Sequence, residues 1–217
     1  TLDSENKFPI SYKNSICFLD NLYFVVGTKN NLYQITPIGS SSINECSKIC
    51  ESPDNSNISC VKTIGSNILD SQLLIFCTEN GLVNLYDQRE KNISLTCDMT
   101  KEIGIPSCVN KTFASNSFYI GTYGGKLINY DLRLNNISSC FNYNEYTPIL
   151  GISRYRMNKN NLNDFSSIKN NKYFLIWSGA EDHEIGLWTN NLNCKILLKV
   201  NTINYEGDEN DRNLMVK

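Results

Sequence analysis

The chain has 217 residues, with 20 Lys+Arg against 22 Asp+Glu, a net charge of -2 and 41% apolar residues. That length fits one large domain or two small ones, and the apolar share is enough for a sizeable core, which excludes disorder of the whole chain. The near-neutral balance argues against a nucleic-acid-binding surface, which needs clustered Lys and Arg to displace counterions; no apolar run is long enough for a membrane helix, and a single histidine, His183, leaves few routes to metal or Ser-His chemistry.

In chain order, the first predicted elements are a short strand at 15–18 (SICF) and a hairpin over 22–36 (LYFVVGTKNNLYQIT). The Ser- and Asn-rich stretch 37–57 reads as a surface loop, with only a poorly formed strand near 46–50. A second group follows: a strand at 58–61 (ISCV), a hairpin over 73–89 (LLIFCTENGLVNLYDQR) and a strand at 93–99 (ISLTCDM). The third comprises 105–109 (IPSCV), a hairpin over 118–133 (FYIGTYGGKLINYDLR) and 137–143 (ISSCFNY). The fourth has 149–153 (ILGIS), a loop insertion at 157–171, a hairpin over 173–191 and a strand at 194–200 (CKILLKV). Residues 205–217 are an acidic polar tail or linker.

These groups are copies of one unit. Thr28, Thr78, Thr122 and Ala180 mark the same place in each, spaced by 50, 44 and 58 residues. Thr78, Thr122 and Ala180 each precede an aromatic residue (Tyr86, Tyr130, Trp188) by eight positions. The runs before the turn are β-branched and aromatic, and ENG and YGG supply residues that accept positive φ cheaply. In the first copy Asn31 stands where the turn Gly falls. After the turn, Val83 and Leu85, and then Leu127 with Asn129, alternate as a half-buried strand requires. Four strands per unit of roughly 45 residues is the arithmetic of a propeller blade. No segment carries a helical apolar period. The fold class expected is therefore all-β, with four four-stranded blades near 15–50, 58–99, 105–143 and 149–200, inside a segment spanning 1–204. An open arc of this kind would expose the apolar sides of its terminal blades and be poorly soluble or dimeric by itself.

The chain starts at Thr1 without a charged, then apolar leader, and this reads as a cytosolic piece of something longer. Its nine cysteines lack any CxxC pair and read as reduced, buried small hydrophobes. The four glycosylation-type tripeptides, at Asn57, Asn92, Asn110 and Asn136, are expected by chance in so asparagine-rich a chain. Glu181, Asp182, His183 and Glu184 group acids with the histidine, but neighbours in one turn rarely converge on an ion, so no metal and no cofactor is expected. Arg154-Tyr155-Arg156 is the densest basic-aromatic spot, read as a strand with solvated arginines and as a candidate protein contact. Tyr86-Asp87-x-Arg89 and Tyr130-Asp131-x-Arg133 also invite a protein-binding role, with Arg89 and Arg133 as anchors. The local alternative is that Asp caps the turn and Arg pairs with it.

Strand, turn, strand and aromatic-Asp, recurring in register, resemble the WD repeat, with Tyr86 and Tyr130 replacing Trp and Trp188 retaining it. The histidine that usually opens such a repeat is missing from every copy, so its side-chain network should be incomplete and stability should rest more on packing. The order of units over roughly residues 15–200 is similar to that of the carboxy-terminal WD-repeat domain in the large, kinase-like regulatory subunits of class III phosphatidylinositol 3-kinase complexes. The resemblance implies part of a larger, seven-bladed ring. It also implies a non-catalytic scaffold whose partners are a phosphatidylinositol 3-kinase catalytic subunit and coiled-coil accessory subunits. In that setting the chain would be cytoplasmic, reaching endosomal or autophagic membranes only peripherally through the complex. The parent family carries a serine/threonine kinase-like domain, and no Gly-rich loop, H-R-D or D-F-G motif of one occurs here. Substrate receptors of cullin-RING ubiquitin ligases, which present a similar aromatic-Asp-x-Arg, are the alternative resemblance.

Overall fold

Runs such as LLIFCT and SFYIGT are stiff at Cβ and crowd a helix, and they form strands throughout. The computed structural model describes residues 15–18, 23–35, 46–64, 73–99, 103–112, 116–142, 147–155, 173–178, 183–189 and 194–200. Among these there is no helix. The strands are β1 (Ile16–Phe18), β2 (Phe24–Gly27), β3 (Asn31–Ile35), β4 (Cys46–Glu51), β5 (Ile58–Thr63), β6 (Leu73–Thr78), β7 (Leu82–Asp87) and β8 (Asn92–Asp98). They continue with β9 (Pro106–Lys111), β10 (Ser117–Thr122), β11 (Lys126–Asp131), β12 (Asn136–Asn142), β13 (Ile149–Tyr155), β14 (Tyr173–Ser178), β15 (His183–Thr189) and β16 (Cys194–Val200). Each consecutive four make an antiparallel meander, giving four four-stranded sheets among the described residues. Such sheets are compatible with propeller blades.

The central turns follow from two side chains. Gly81 and Gly125 adopt φ of 86° and 75°, and their N–H groups donate to the carbonyls of Thr78 (3.0 Å) and Thr122 (3.2 Å). The hydroxyl of each Thr accepts the next strand's first N–H, from Leu82 (3.2 Å) and Lys126 (2.9 Å). The first hairpin closes differently. Thr28 donates through its N–H (2.9 Å) and its hydroxyl (3.0 Å) to the carbonyl of Asn31. Asn31 is already the first residue of β3 and not the counterpart of the turn glycine, because this hairpin is one residue shorter. Thr28, Thr78 and Thr122 are all buried, but only Thr78 and Thr122 share one hydrogen-bond pattern; Ala180 lies outside the described residues.

The strand register repeats as well. The third strand shifts against the fourth between Leu85 and Tyr86, between Asn129 and Tyr130, and between Leu187 and Trp188. The extra residue lies on the outer strand, and the third strand keeps its alternation, so Val83 and Tyr86, like Leu127 and Tyr130, enter opposite cores. Ser94 and Ser138, the extra residues opposite the first two shifts, donate to the carbonyls of Leu85 (3.2 Å) and Asn129 (2.9 Å).

The sheets stack through their first strands, β5 against β1, β9 against β5 and β13 against β9. Three apolar cores fill the spaces between them. Cys17, Val25 and Leu32 of the first sheet meet Ile58, Val61, Leu74, Phe76 and Tyr86 of the second. Ile75, Cys77 and Val83 meet Val109, Phe118, Ile120, Ile128 and Tyr130. Cys108, Tyr119 and Leu127 meet Ile149, Ile152, Ile176 and Trp188. The half-buried alternation anticipated after the turn is thus corrected: Ile128 is as buried as Leu127, because the inner strands are covered on both faces. Alternation appears on the outer strand β8 instead, where one face meets solvent.

Three further expectations change. Residues 46–51, read as a loop with only a poorly formed strand near 46–50, are the six-residue strand β4, where pairing with β3 overrides a polar composition and Ile49 and Cys50 supply the inward contacts. His183 is the first residue of β15 and not a turn residue. Cys17, Cys60, Cys77 and Cys108 are buried and free, but Cys46 and Cys140 are exposed, since they sit on the outermost strands β4 and β12. Burial pushes the Cys17 thiol up to about 12, so it is an inert packing group. The insertion 157–171 and the tail 205–217 lie outside the described residues.

Candidate functional site

The aromatic-Asp-x-Arg ending of β7 and β11 is the strongest repeated feature, and the structure splits it into two halves. The aromatic half faces inward. Tyr86 donates to the carbonyl of Ile49 on β4 (3.5 Å), and Tyr130 reaches Cys97 Sγ on β8 (2.9 Å) while donating to Asn135 Oδ1 (2.7 Å). Trp188 meets Phe141 on β12 edge-on, with centroids 4.8 Å apart. In each case the third strand's aromatic touches the outer strand of the sheet before it. Tyr130 also stacks on Phe118 at 5.1 Å, and burial followed by the Cys97 contact raises its hydroxyl pKa. Tyr86 and Tyr130 are buried, so both serve inter-sheet packing and present no surface to a partner.

The charged half faces outward. Arg89 donates through Nε (3.1 Å) and Nη2 (2.7 Å) to the two carboxylate oxygens of Asp87, and its backbone N–H adds a third bond of 2.9 Å. Arg133 does the same to Asp131 at 3.2, 2.7 and 2.8 Å. The following turns bring Lys91 and Asn135 to φ of 53° and 49°, four residues after each Asp. Each carboxylate caps its turn, the local role set out above, and the paired guanidinium holds it down to about 2. The arginine side chains remain about two-thirds exposed, at 65% and 68%, in matching poses on neighbouring sheets. Two pre-oriented guanidinium planes are the arrangement best suited to meet carboxylates of a partner.

This geometry sets a pH dependence. A carboxyl whose folded pKa lies below its unfolded value of about 3.9 contributes stability that is complete above that value and is lost as pH falls towards about 2. Stability should therefore fall with pH between about 4 and 2, and the double variant Asp87→Asn/Asp131→Asn should flatten that slope. Denaturant midpoints measured across the acid range read this directly.

Arg154 is exposed on β13, the first strand of the fourth sheet, and lies apart from the Arg89 and Arg133 turns in the chain fold. Arg156 lies outside the described residues, as do Glu181 and Asp182. Among the described residues no three His, Cys, Asp or Glu side chains converge in a metal-binding group, and no helix is long and apolar enough to cross a membrane. Asn57 and Asn110 are engaged through their side chains with Glu79 and the carbonyl of Ile152, whereas Asn92 and Asn136 begin outer strands and are exposed.

One functional residue escaped the sequence reading. Asp54, in the turn between β4 and β5, accepts from the buried Thr78 hydroxyl (2.9 Å), from the Ser56 hydroxyl (2.7 Å) and from Ser52. Burial opposes its charge, but these bonds outweigh burial and lower its pKa. The carboxylate ties the inter-sheet turn to the second hairpin, supplying a network that the absence of a histidine seemed to forbid. Its only sequence signal is Ser-Pro-Asp-Asn-Ser, a turn composition like many others here. Asp54→Ala should lower stability by about 1–2 kcal/mol, because it removes the acceptor of the buried Thr78 O–H, which keeps only the bond it accepts from Leu82. Equal denaturation midpoints for variant and parent would refute that role.

No protein-family model matches the chain, and no curated protein sequence matches it.

Proposed function

We propose that this chain is an arc of a WD-repeat β-propeller, part of a larger ring, and that it acts as a non-catalytic protein-interaction scaffold. The observation that carries this reading is the recurrence of the aromatic residue at the same bulge in three sheets, each time packed on the preceding sheet's outer strand. Rigid sheets joined by such contacts hold surface side chains at fixed separations, which is what a docking platform requires. Arg89 and Arg133 are the anchors best prepared for it. By its resemblance in unit order, the complex served is the class III phosphatidylinositol 3-kinase, with its catalytic and coiled-coil subunits as partners and endosomal or autophagic membranes as the place of action. A ubiquitin-ligase substrate receptor is the second reading, favoured by the exposure of the same two arginines.

Affinity purification of the tagged chain from cells, followed by mass spectrometry, separates the two. Recovery of a phosphatidylinositol 3-kinase catalytic subunit supports the first reading, and recovery of cullin and adaptor components supports the second. Loss of the recovered partner in the Arg89→Ala/Arg133→Ala variant would place the contact at these turns.

A further inference from the structure

The first strands, which pack on one another, carry three cations and no carboxylate: Lys62 on β5, Lys111 on β9 and Arg154 on β13. The second strands, β2, β6, β10 and β14, carry no charged residue. The chain as a whole has a net charge of -2, so the positive sign is particular to the first strands. Alternation along a strand assigns two of these cations to one gap. Cys60 lies in the core shared with the third sheet and Val61 in the core shared with the first, so Lys62, two residues after Cys60, projects to the third-sheet side. Val109 lies in the core shared with the second sheet, so Lys111, two residues on, projects to the second-sheet side. The two lysines therefore enter the gap between β5 and β9 from opposite walls. Lys62 pairs with Ile75 and Lys111 with Phe118, three residues before Thr78 and four before Thr122, so they stand one residue apart in register. The field of Lys62 supports this placement: burial raises the Cys108 thiol of β9, and the Lys62 charge opposes that rise. Asn110, next to Lys111, bridges onward by donating to the Ile152 carbonyl of β13 (2.7 Å), and the exposed Arg154 follows Ile152 by two residues.

Lys111 is 7% exposed and Lys62 is half-buried. Two ammonium groups in one partly desolvated gap repel each other, and an anion between them replaces that repulsion with charge-assisted bonds. A carboxylate brings one negative charge, whereas a phosphate brings close to two and acceptor oxygens on several sides. We propose that the gap between β5 and β9 is a phosphate-binding site in which Lys62 and Lys111 hold the phosphate group, with Arg154 of β13 extending the positive strip. The ligand is a phosphorylated small molecule or the headgroup of a phosphorylated lipid, which share this chemistry. The site lies apart from the Arg89 and Arg133 turns and depends on no assignment of their partner.

Calorimetric titration of the full 217-residue chain with inorganic pyrophosphate at low salt tests this. The parent should bind, and Lys62→Gln should bind at least about tenfold more weakly, the loss expected when one charge-assisted contact goes. Lys111→Met should lose binding too; because Lys111 is buried and its loss can unfold the chain, the half-buried Lys62 variant is the deciding one. Lys29→Gln removes the same charge from the exposed first hairpin turn and should leave the affinity within about twofold of the parent. Vesicles of phosphatidylcholine containing phosphatidic acid separate the two sources. Vesicle binding that pyrophosphate displaces supports a lipid headgroup, and pyrophosphate binding without vesicle binding supports a free phosphorylated molecule. A parent that does not bind pyrophosphate, or a Lys62→Gln variant that binds it as the parent does, would overturn the proposal. So would an equal loss in Lys29→Gln, which marks general charge attraction, or tighter binding of an oligoglutamate peptide than of pyrophosphate, which marks an acidic protein segment as the occupant.

Discussion

Replacing Trp188 by Ala should cost about 4 kcal/mol of stability, the largest loss from any single truncation in the third interface. The indole is 2% exposed and lies in the core with Tyr119, Leu127, Ile149, Ile152 and Ile176, while its edge meets Phe141 of the preceding outer strand. Truncation removes an aromatic group from between two sheets whose backbones are pinned by their own ladders, so the space cannot collapse and a cavity remains. Trp188→Tyr should cost much less, on the order of 1–2 kcal/mol, because Tyr86 and Tyr130 fill the equivalent place in the second and third sheets. Urea denaturation followed by circular dichroism distinguishes these values. A Tyr variant as unstable as the Ala variant would show that the three positions are not equivalent.

Gly121→Ala should lose about 3 kcal/mol, from crowding and not from a cavity. A Cβ on Gly121 would stand 2.6 Å from Ile149 Cγ2 and 2.6 Å from Cys108 Sγ, and 2.9 Å from Ile149 Cβ. The last atom is attached to the backbone of β13 and cannot swing away. Gly27 occupies the same place in the first sheet, where a Cβ would come within 2.6 Å of Ile58 Cγ2. Both glycines admit the first residue of the next sheet's first strand, which is how closely these strands approach. Gly124→Ala, three residues along in the turn, is the control: its nearest neighbour is 4.0 Å away, so its stability should stay within about 0.5 kcal/mol of the parent. A Gly121→Ala protein as stable as that control would mean that the third and fourth sheets are not held in the close contact described.

The acid-range and Asp54 experiments probe a different level, the turns at the sheet ends. Asp87 and Asp131 were legible because an Asp two residues before an Arg, at the end of an alternating run, has an obvious local partner. Asp54 was not, because its partner Thr78 lies 24 residues away and a lone turn Asp offers no spacing to read. The side chains of Tyr86 and Tyr130 illustrate the same divide. Their register was visible as an eight-residue offset from Thr78 and Thr122, but their burial comes from the preceding sheet, whose residues cover them.

By itself, then, the amino-acid order determined the strands, the two glycine turns and the fourfold repeat, because propensity, positive φ and local hydrogen bonds act within a few residues. It gave β4 only as a poorly formed strand, because its polar residues are held by the ladder to β3, and it anticipated one covered face for inner strands that have two. Those properties belong to the pairing and stacking of strands, which bring together residues that lie far apart in the chain.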